Sequence, residues 1–508
     1  MAELLQYKED PKVTLLYPPN QSWPDTMCKP NGSLAYPHLA GALIRHGVEV
    51  DIFDACVGNE HDDLQETFYK STELPSGARR TGVSNERILE AVADSDIVGL
   101  TSIFSDQETM VLETVRLIKR NFPEKLVVAG GVNARSRLHK FFPSGVDLVC
   151  LSEAERTIQQ IVDVVRQGSR DFRHISGITY EQNGAMTINP AKTEDITLNL
   201  DELPMPAWHL LPYKRYWQIA RPHGGHFEPG QELRFGSMIT SLGCIFACAY
   251  CHIAGEIKGS LSGPTGQFRI KSDERVLAEL DILKGLGVKQ VFIEDDTLFG
   301  MKRRTINLLR KIRGAGVDIL DVNGVNLIHL FRKYEPDLEV LEALMEAGFK
   351  EIVLPFESGN QRMINKYASH KWLVDKHDVI GLIRLCKQYG LTIAGNYMLG
   401  YPDETLAEIN RTIDAARRHR AAGLDSANFF LVMPLPGTPL FEMAVREGYL
   451  PRDFDPDTMH WTKANMRNTP VPPEQLEEIR NKAWREVNDQ EYVTYKVGMG
   501  VSQANVAV

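Results

Sequence analysis

The chain has 508 residues, 43% of them hydrophobic and 24% charged. That is the make-up of a globular protein with room for about two to four domains. The net charge of −10 argues against nucleic acid as the main partner, because phosphate binding needs a basic surface. The opening residues MAELLQYKEDPKV lack the apolar core of a signal peptide. No uninterrupted apolar run reaches about 18 residues, so the expectation is a cytoplasmic protein with no membrane span.

Residues 1–165 alternate between apolar runs and amphipathic stretches. Strands are predicted at Val13–Tyr17, Val48–Phe53, Asp96–Ile103, Leu126–Ala129 and Val146–Leu151, with a helix over Ser33–His46. Strands separated by helices indicate a parallel, doubly wound sheet. Ligands of such sheets sit outside the carboxyl ends of the strands. Residues 166–230 change character. Ile178–Tyr180 and Met186–Ile188 flank Gln182-Asn183-Gly184, a hairpin with an Asn-Gly turn. The Pro-rich run Leu203–Pro206 follows, so this stretch reads as a linker.

Residues 231–440 return to alternation. Strands are predicted at Phe235–Thr240, Gln290–Ile293, Ile319–Val322, Glu351–Pro355, Thr392–Met398 and Ala427–Met433. Helices are predicted at Ser272–Lys284, Lys302–Ala315, Leu338–Ala347 and Glu404–Ala422. About six units are too few for the eight-unit barrel, which points to a partial, open one. Residues 441–508 are polar, with a helix near Glu474–Asn488 and a final stretch, VGMGVSQANVAV, that reads as disordered. The fold class is therefore α/β: a doubly wound sheet, a partial (β/α)6 barrel and a small, mostly helical C-terminal segment.

Of the seven cysteines, four are scattered singly, as free thiols in a reducing compartment are. The other three, Cys244, Cys248 and Cys251, follow the first strand of the second domain with the spacing C-x3-C-x2-C. Three thiolates on one short loop can hold three irons of a 4Fe-4S cluster and leave the fourth iron open. S-adenosylmethionine (SAM) could chelate that open iron through its amino and carboxylate groups. The competing readings are unrelated buried thiols or a structural zinc site. Zinc needs four ligands, and His252 adjoins Cys251 awkwardly as a fourth.

C-x3-C-x-aromatic-C after a strand, with Tyr250 as the aromatic, resembles the signature of the radical SAM superfamily. The resemblance spans residues 235–440. It implies that Cys244, Cys248 and Cys251 are the catalytic cluster ligands. It also implies SAM contacts from Tyr250, from Glu294, Asp295 and Asp296 after the second strand, from Glu357 and Ser358 after the fourth, and from Gly400 after the fifth. Each has a plainer reading as a helix cap or turn. Asp295 and Asp296 could also act as acid or base.

A doubly wound sheet ahead of this barrel resembles the cobalamin-binding class. That resemblance implies cobalamin contacts from Tyr17 and Pro18, Ser102 and Ser105, Gly130 and Gly131, and Glu153. Asp-x-His-x-x-Gly after strand one is absent, so no histidine is expected on the lower face of the cobalt. A plain doubly wound domain is the alternative. No Gly-x-Gly-x-x-Gly opens the first helix, which disfavours a dinucleotide.

The resemblance implies a cobalamin-dependent radical SAM enzyme. It would transfer methyl from methylcobalamin to an unactivated carbon after hydrogen abstraction by the 5′-deoxyadenosyl radical. The alternatives are a radical cyclase or rearrangement enzyme with the same cofactors, or a non-catalytic cobalamin or redox sensor. Expected partners are a small-molecule or peptide substrate and a flavodoxin or ferredoxin electron donor. His223 and His226 read as a solvated loop, Trp208, Trp217 and Trp461 as core, and Lys302-Arg303-Arg304 and Arg417–Arg420 as helix surface.

Overall fold

The computed structural model describes residues 10–494, except 25, 27, 31, 33, 183, 223–231 and 452. Asn183, His223, His226 and the C-terminal stretch thus lie outside the described residues. The rest falls into two compact units: residues up to 222 together with 256–265, and the remainder.

The first unit is built on strands β1 (Val13–Tyr17), β2 (Val50–Asp54), β3 (Ile97–Thr101), β4 (Leu126–Gly130) and β5 (Leu148–Cys150). All five are parallel. β1, β3 and β5 are buried along their whole length, as strands covered by helices on both faces must be. The covering helices include α1 (Ala35–Arg45), α2 (Asn85–Val92), α3 (Glu108–Asn121) and α4 (Glu155–Arg166).

The hairpin expected in a linker is part of this sheet. Its strands β6 (Ile178–Gln182) and β7 (Ala185–Asn189) add antiparallel to β5, giving the order β7-β6-β5-β4-β3-β1-β2. Burial of Ile178, Thr179 and Tyr180 supplies the reason. The chain order reverses between β1 and β3, which makes that crevice the topological switch point. Segment 256–265 also belongs to this unit, contrary to an unbroken 231–440 domain. Glu256 pairs with Arg135, and the Ala191 N–H donates to the Leu261 carbonyl at 2.9 Å.

The second unit carries β8 (Phe235–Met238), β9 (Gln290–Ile293), β10 (Asp318–Asp321), β11 (Phe349–Glu357), β12 (Thr392–Leu399) and β13 (Ser426–Leu431). They are parallel and pair in chain order, β8 through β13, without closing: a partial barrel. The helices are α5 (Asp273–Gly285), α6 (Lys302–Ile312), α7 (Leu338–Ala347), α8 (Gln361–Tyr367), α9 (Val379–Gln388), α10 (Leu406–Ala421), α11 (Pro439–Arg446) and α12 (Pro473–Val487). Ser272 caps α5, and Thr405 with Glu408 forms a capping box on α10, so these helices start where their side chains can accept orphan N–H groups. Trp208 is buried as expected, but Trp461 is 45% exposed and is not core.

An open barrel leaves β13 as an edge whose outward backbone groups need partners. The C-terminal segment supplies them. Asn488 accepts from the Ala427 N–H at 2.8 Å and donates to the Ala427 carbonyl at 2.9 Å. Arg480 donates to the Phe429 carbonyl at 2.8 Å, and the Leu431 N–H donates to the Trp461 carbonyl at 2.8 Å. This side-chain imitation of a neighbouring strand gives residues 441–494 a role that their polar sequence did not announce.

β12 ends in a turn built on a buried acid. Gly400 has φ +85°, and a Cβ there would lie 2.3 Å from Leu476 Cδ2. Its N–H donates to Glu404 Oε2 at 2.7 Å, and the Tyr401 N–H donates to the same oxygen at 3.2 Å. Oε1 of Glu404 is buried with no hydrogen-bond partner. Burial pushes this carboxyl up to about 8, against the pull of the two N–H groups.

Two outcomes follow for stability. Asn488→Ala removes both bonds to Ala427 and should cost about 1–3 kcal/mol, seen as a lower midpoint in thermal melts. Glu404 holds its proton in the folded state across a range where the unfolded chain has lost it. Stability should therefore fall as pH rises from about 4.5 to about 8, and level off above. Glu404→Gln should flatten that slope; an identical melting profile from pH 5 to 8.5 in both proteins would refute the assignment.

Candidate active site

The cysteine loop starts at the carboxyl end of β8. Gly243 turns the chain with φ +79°, and a Cβ there would sit 2.3 Å from the Gln267 carbonyl oxygen, so only glycine fits. Irregular chain then carries all three cysteines. Cys248 is buried, Cys244 and Cys251 are half-buried, and all are free thiols. The loop is pinned on both sides of Ala249: its N–H donates to the Tyr367 carbonyl and its carbonyl accepts from the Leu440 N–H, each at 2.8 Å. The Ala247 N–H donates to Ser369 Oγ at 3.0 Å.

Burial pushes the Cys251 thiol up to about 12 and raises Cys248 as well. A thiol so placed ionises only with a strong positive charge beside it, and iron supplies one. A 4Fe-4S cluster takes one thiolate on each of three irons and leaves one iron open, whereas structural zinc needs a fourth ligand. The donor set therefore fits a 4Fe-4S cluster better than tetrahedral zinc.

The end of β9 clamps this loop. The resemblance implies SAM contacts from Asp295 and Asp296; in the structure both bond the chain that leads into the loop. Asp295 is buried and accepts from the Thr240 N–H, the Thr240 hydroxyl and the Ser241 hydroxyl, each at 2.6 Å. Asp296 accepts from the Gly243 N–H at 2.9 Å, and burial pushes its carboxyl up to about 6. Thr297 Oγ1 lies 2.7 Å from Cys244 Sγ. Glu294 joins through its backbone, donating to the Met238 carbonyl at 3.0 Å and accepting from Asn323 at 2.8 Å. Arg304, read as helix surface, turns inward to donate to Thr240 Oγ1 at 3.2 Å and to the Lys271 carbonyl at 2.6 Å.

Across the loop stands a triad that sequence reasoning saw only in part. The Tyr250 hydroxyl donates to Glu357 Oε1 at 2.6 Å, and Lys371 Nζ donates to the same oxygen at 2.9 Å. Glu357 has φ +60°, a left-handed conformation costly for a side-chain-bearing residue, at a register shift between β11 and β12. Glu357, with the Cys248 and Cys244 thiols beside it, raises Lys371 above the usual lysine range despite burial. Lys371 lies in a stretch with no motif, so no sequence signal marked it. Ser358 belongs to packing: its hydroxyl lies 3.1 Å from Thr412 Oγ1 of α10. Gly400, with its N–H held by Glu404, serves the turn.

In the first unit, a pocket opens at the switch point. Pro18, Pro19 and Asn20 line it after β1, and Thr101 to Phe104 after β3. Pro18 and Ser102 are among the residues that line it. Tyr17 is not: it is buried against Tyr36 with ring centroids 4.1 Å apart. Gly131, with φ +98°, lets its backbone pass the Ser102 carbonyl, which a Cβ would meet at 2.5 Å. It serves the chain crossing. Gly130 is half-buried with nothing nearer its absent Cβ than Cys150 at 4.0 Å. Ser105 is buried in a short 3-10 turn, and Glu153 accepts from the Thr197 N–H at 3.3 Å.

Comparison with known proteins agrees with this geometry. The family model described as "Radical SAM superfamily" matches residues 238–416. The chain is 30% identical over 375 residues to an uncharacterized methyltransferase of Pyrococcus horikoshii, PH0819, covering 73% of this chain and 72% of that protein. It is 24% identical to the cytidylyl-2-hydroxyethylphosphonate methyltransferase of Streptomyces wedmorensis, covering 86% and 82% of the two chains. Among solved structures, the radical SAM methyltransferase TsrM of Kitasatospora setae, with cobalamin and a [4Fe-4S] cluster bound, superimposes with a TM-score of 0.64 at 17% identity. That match covers 86% of this chain and 78% of that one. The chain belongs to the radical SAM superfamily of enzymes, among its methyltransferase relatives.

Proposed function

We propose that the chain is a cobalamin-dependent radical SAM methyltransferase acting on an unactivated carbon of a small molecule or peptide. The observation that carries this reading is the clamped three-cysteine loop after the first barrel strand. The relatives named as methyltransferases, and the fold shared with TsrM, support it. When bound, the cluster supplies an electron for reductive cleavage of SAM, and cobalamin supplies the methyl carrier.

The residues divide the work. Cys244, Cys248 and Cys251 would hold the cluster, with one iron left free for SAM. Glu357 and Lys371 set a paired charge beside that loop, where a zwitterionic ligand meets both signs. In the first unit, Phe104 is 57% exposed at the pocket and offers an apolar face to a flat ring system. A flavodoxin or ferredoxin is the proposed electron donor. No described helix is long and apolar enough to cross a membrane.

The test is anaerobic reconstitution with iron, sulfide and cobalamin, followed by metal analysis and an assay for 5′-deoxyadenosine. About four irons per chain, with retained cobalamin, are expected. Cys248→Ala should lose the cluster absorption and the 5′-deoxyadenosine. Iron without cobalamin would remove the methyl carrier and favour a cyclase.

A further inference from the structure

We propose that Thr297 sets the reduction potential of the cluster through a hydrogen bond to the Cys244 sulfur. The inference rests on the reading that the three cysteines hold a 4Fe-4S cluster.

Thr297 is the last residue of the β9 clamp and is 1% exposed. Its Oγ1 lies 2.7 Å from Cys244 Sγ and 2.8 Å from the Asp296 carbonyl oxygen. The Phe246 N–H approaches the same sulfur at 3.5 Å. A cysteine bound to iron is a thiolate and carries no proton. The proton between these two atoms therefore belongs to the threonine. Two acceptors compete for it, and the charged sulfur is the stronger.

Reduction adds one electron to the cluster, delocalised over iron and sulfur. A donor held on a ligand sulfur stabilises this more negative form and raises the potential. The Tyr250 hydroxyl, which also reaches the Cys248 sulfur, is shared with Glu357 at 2.6 Å, whereas Thr297 touches no carboxylate among the described residues. Thr297 is neutral, so replacing it changes the hydrogen bond without changing the charge of the site. Asp296, whose carbonyl also meets the threonine hydroxyl, fixes Gly243 at the head of the loop. Position and potential are thus set by consecutive residues of one turn.

The experiment uses the full chain, reconstituted anaerobically with iron and sulfide and titrated with dithionite as the one-electron reductant, with the reduced cluster followed by electron paramagnetic resonance. Thr297→Val should keep the wild-type iron content and show a more negative midpoint potential. Thr297→Ser, which keeps the hydroxyl, should return the midpoint to the wild-type value. An unshifted midpoint in Thr297→Val overturns the proposal. So does a valine variant that cannot retain the cluster, since Thr297 would then be a packing residue. A wild-type chain that takes up no iron would instead overturn the cluster assignment on which the proposal stands.

Discussion

Three thiols spread over eight residues of irregular chain can hold a metal cluster only if the backbone between them stays put. No helix or strand ladder does that for residues 243–251, so other groups must. The buried carboxylate of Asp295 is the centre of the solution. An isolated carboxylate in that position would be expensive; three donors within 2.6 Å make it tolerable and fix Thr240 and Ser241 in return. From there the constraint spreads outward, through Arg304 to the Lys271 backbone and through Asp296 to Gly243. Asp295 is thus an acidic residue after a strand end whose observed contacts are those of a structural clamp.

The opposite wall is built differently. There a strained backbone holds the charge. Glu357 sits at positive φ where β11 loses register with β12, and it spends one oxygen on both Tyr250 and Lys371. Tyr250 is itself part of the cysteine loop, so strain in the strand and order in the loop are coupled through one hydroxyl. Strain of that kind costs of order 1–3 kcal/mol, and it persists because neighbouring contacts over-determine the residue.

The architecture was legible in the sequence because hydrophobic period and strand-end residues are local. β1 and β9 appear at the predicted bounds, and the cysteine spacing is a local pattern too. What escaped is long-range. Asn488 acts on Ala427 across 61 residues, and Arg304 on Thr240 across 64. Lys371 reaches Tyr250 across 121. Nothing in the neighbourhood of Asn488, Arg304 or Lys371 marks it as special, since an asparagine after a helix or an arginine in a basic run has many ordinary uses. Tyr17 and Gly131 failed in the other direction. They stand at strand ends where ligands bind, yet one fills the core and the other makes room for a crossing chain.

That contrast bears on how such sites are read. A strand-end position raises the chance of ligand contact, but the same ends must also terminate ladders, start helices and let loops cross. In this chain the acidic pair after β9 bonds the loop, and Gly131 after β4 lets two chain segments pass. The exposed Phe104 and the charged pair of Glu357 and Lys371 are left as groups whose placement the fold alone does not require. Phe104 lies 57% exposed at the rim of a pocket, where water gains nothing from it. Lys371 is buried beside the cysteine thiols, a place a cation occupies only with a partner of opposite sign, and Glu357 meets that need at the expense of a strained backbone.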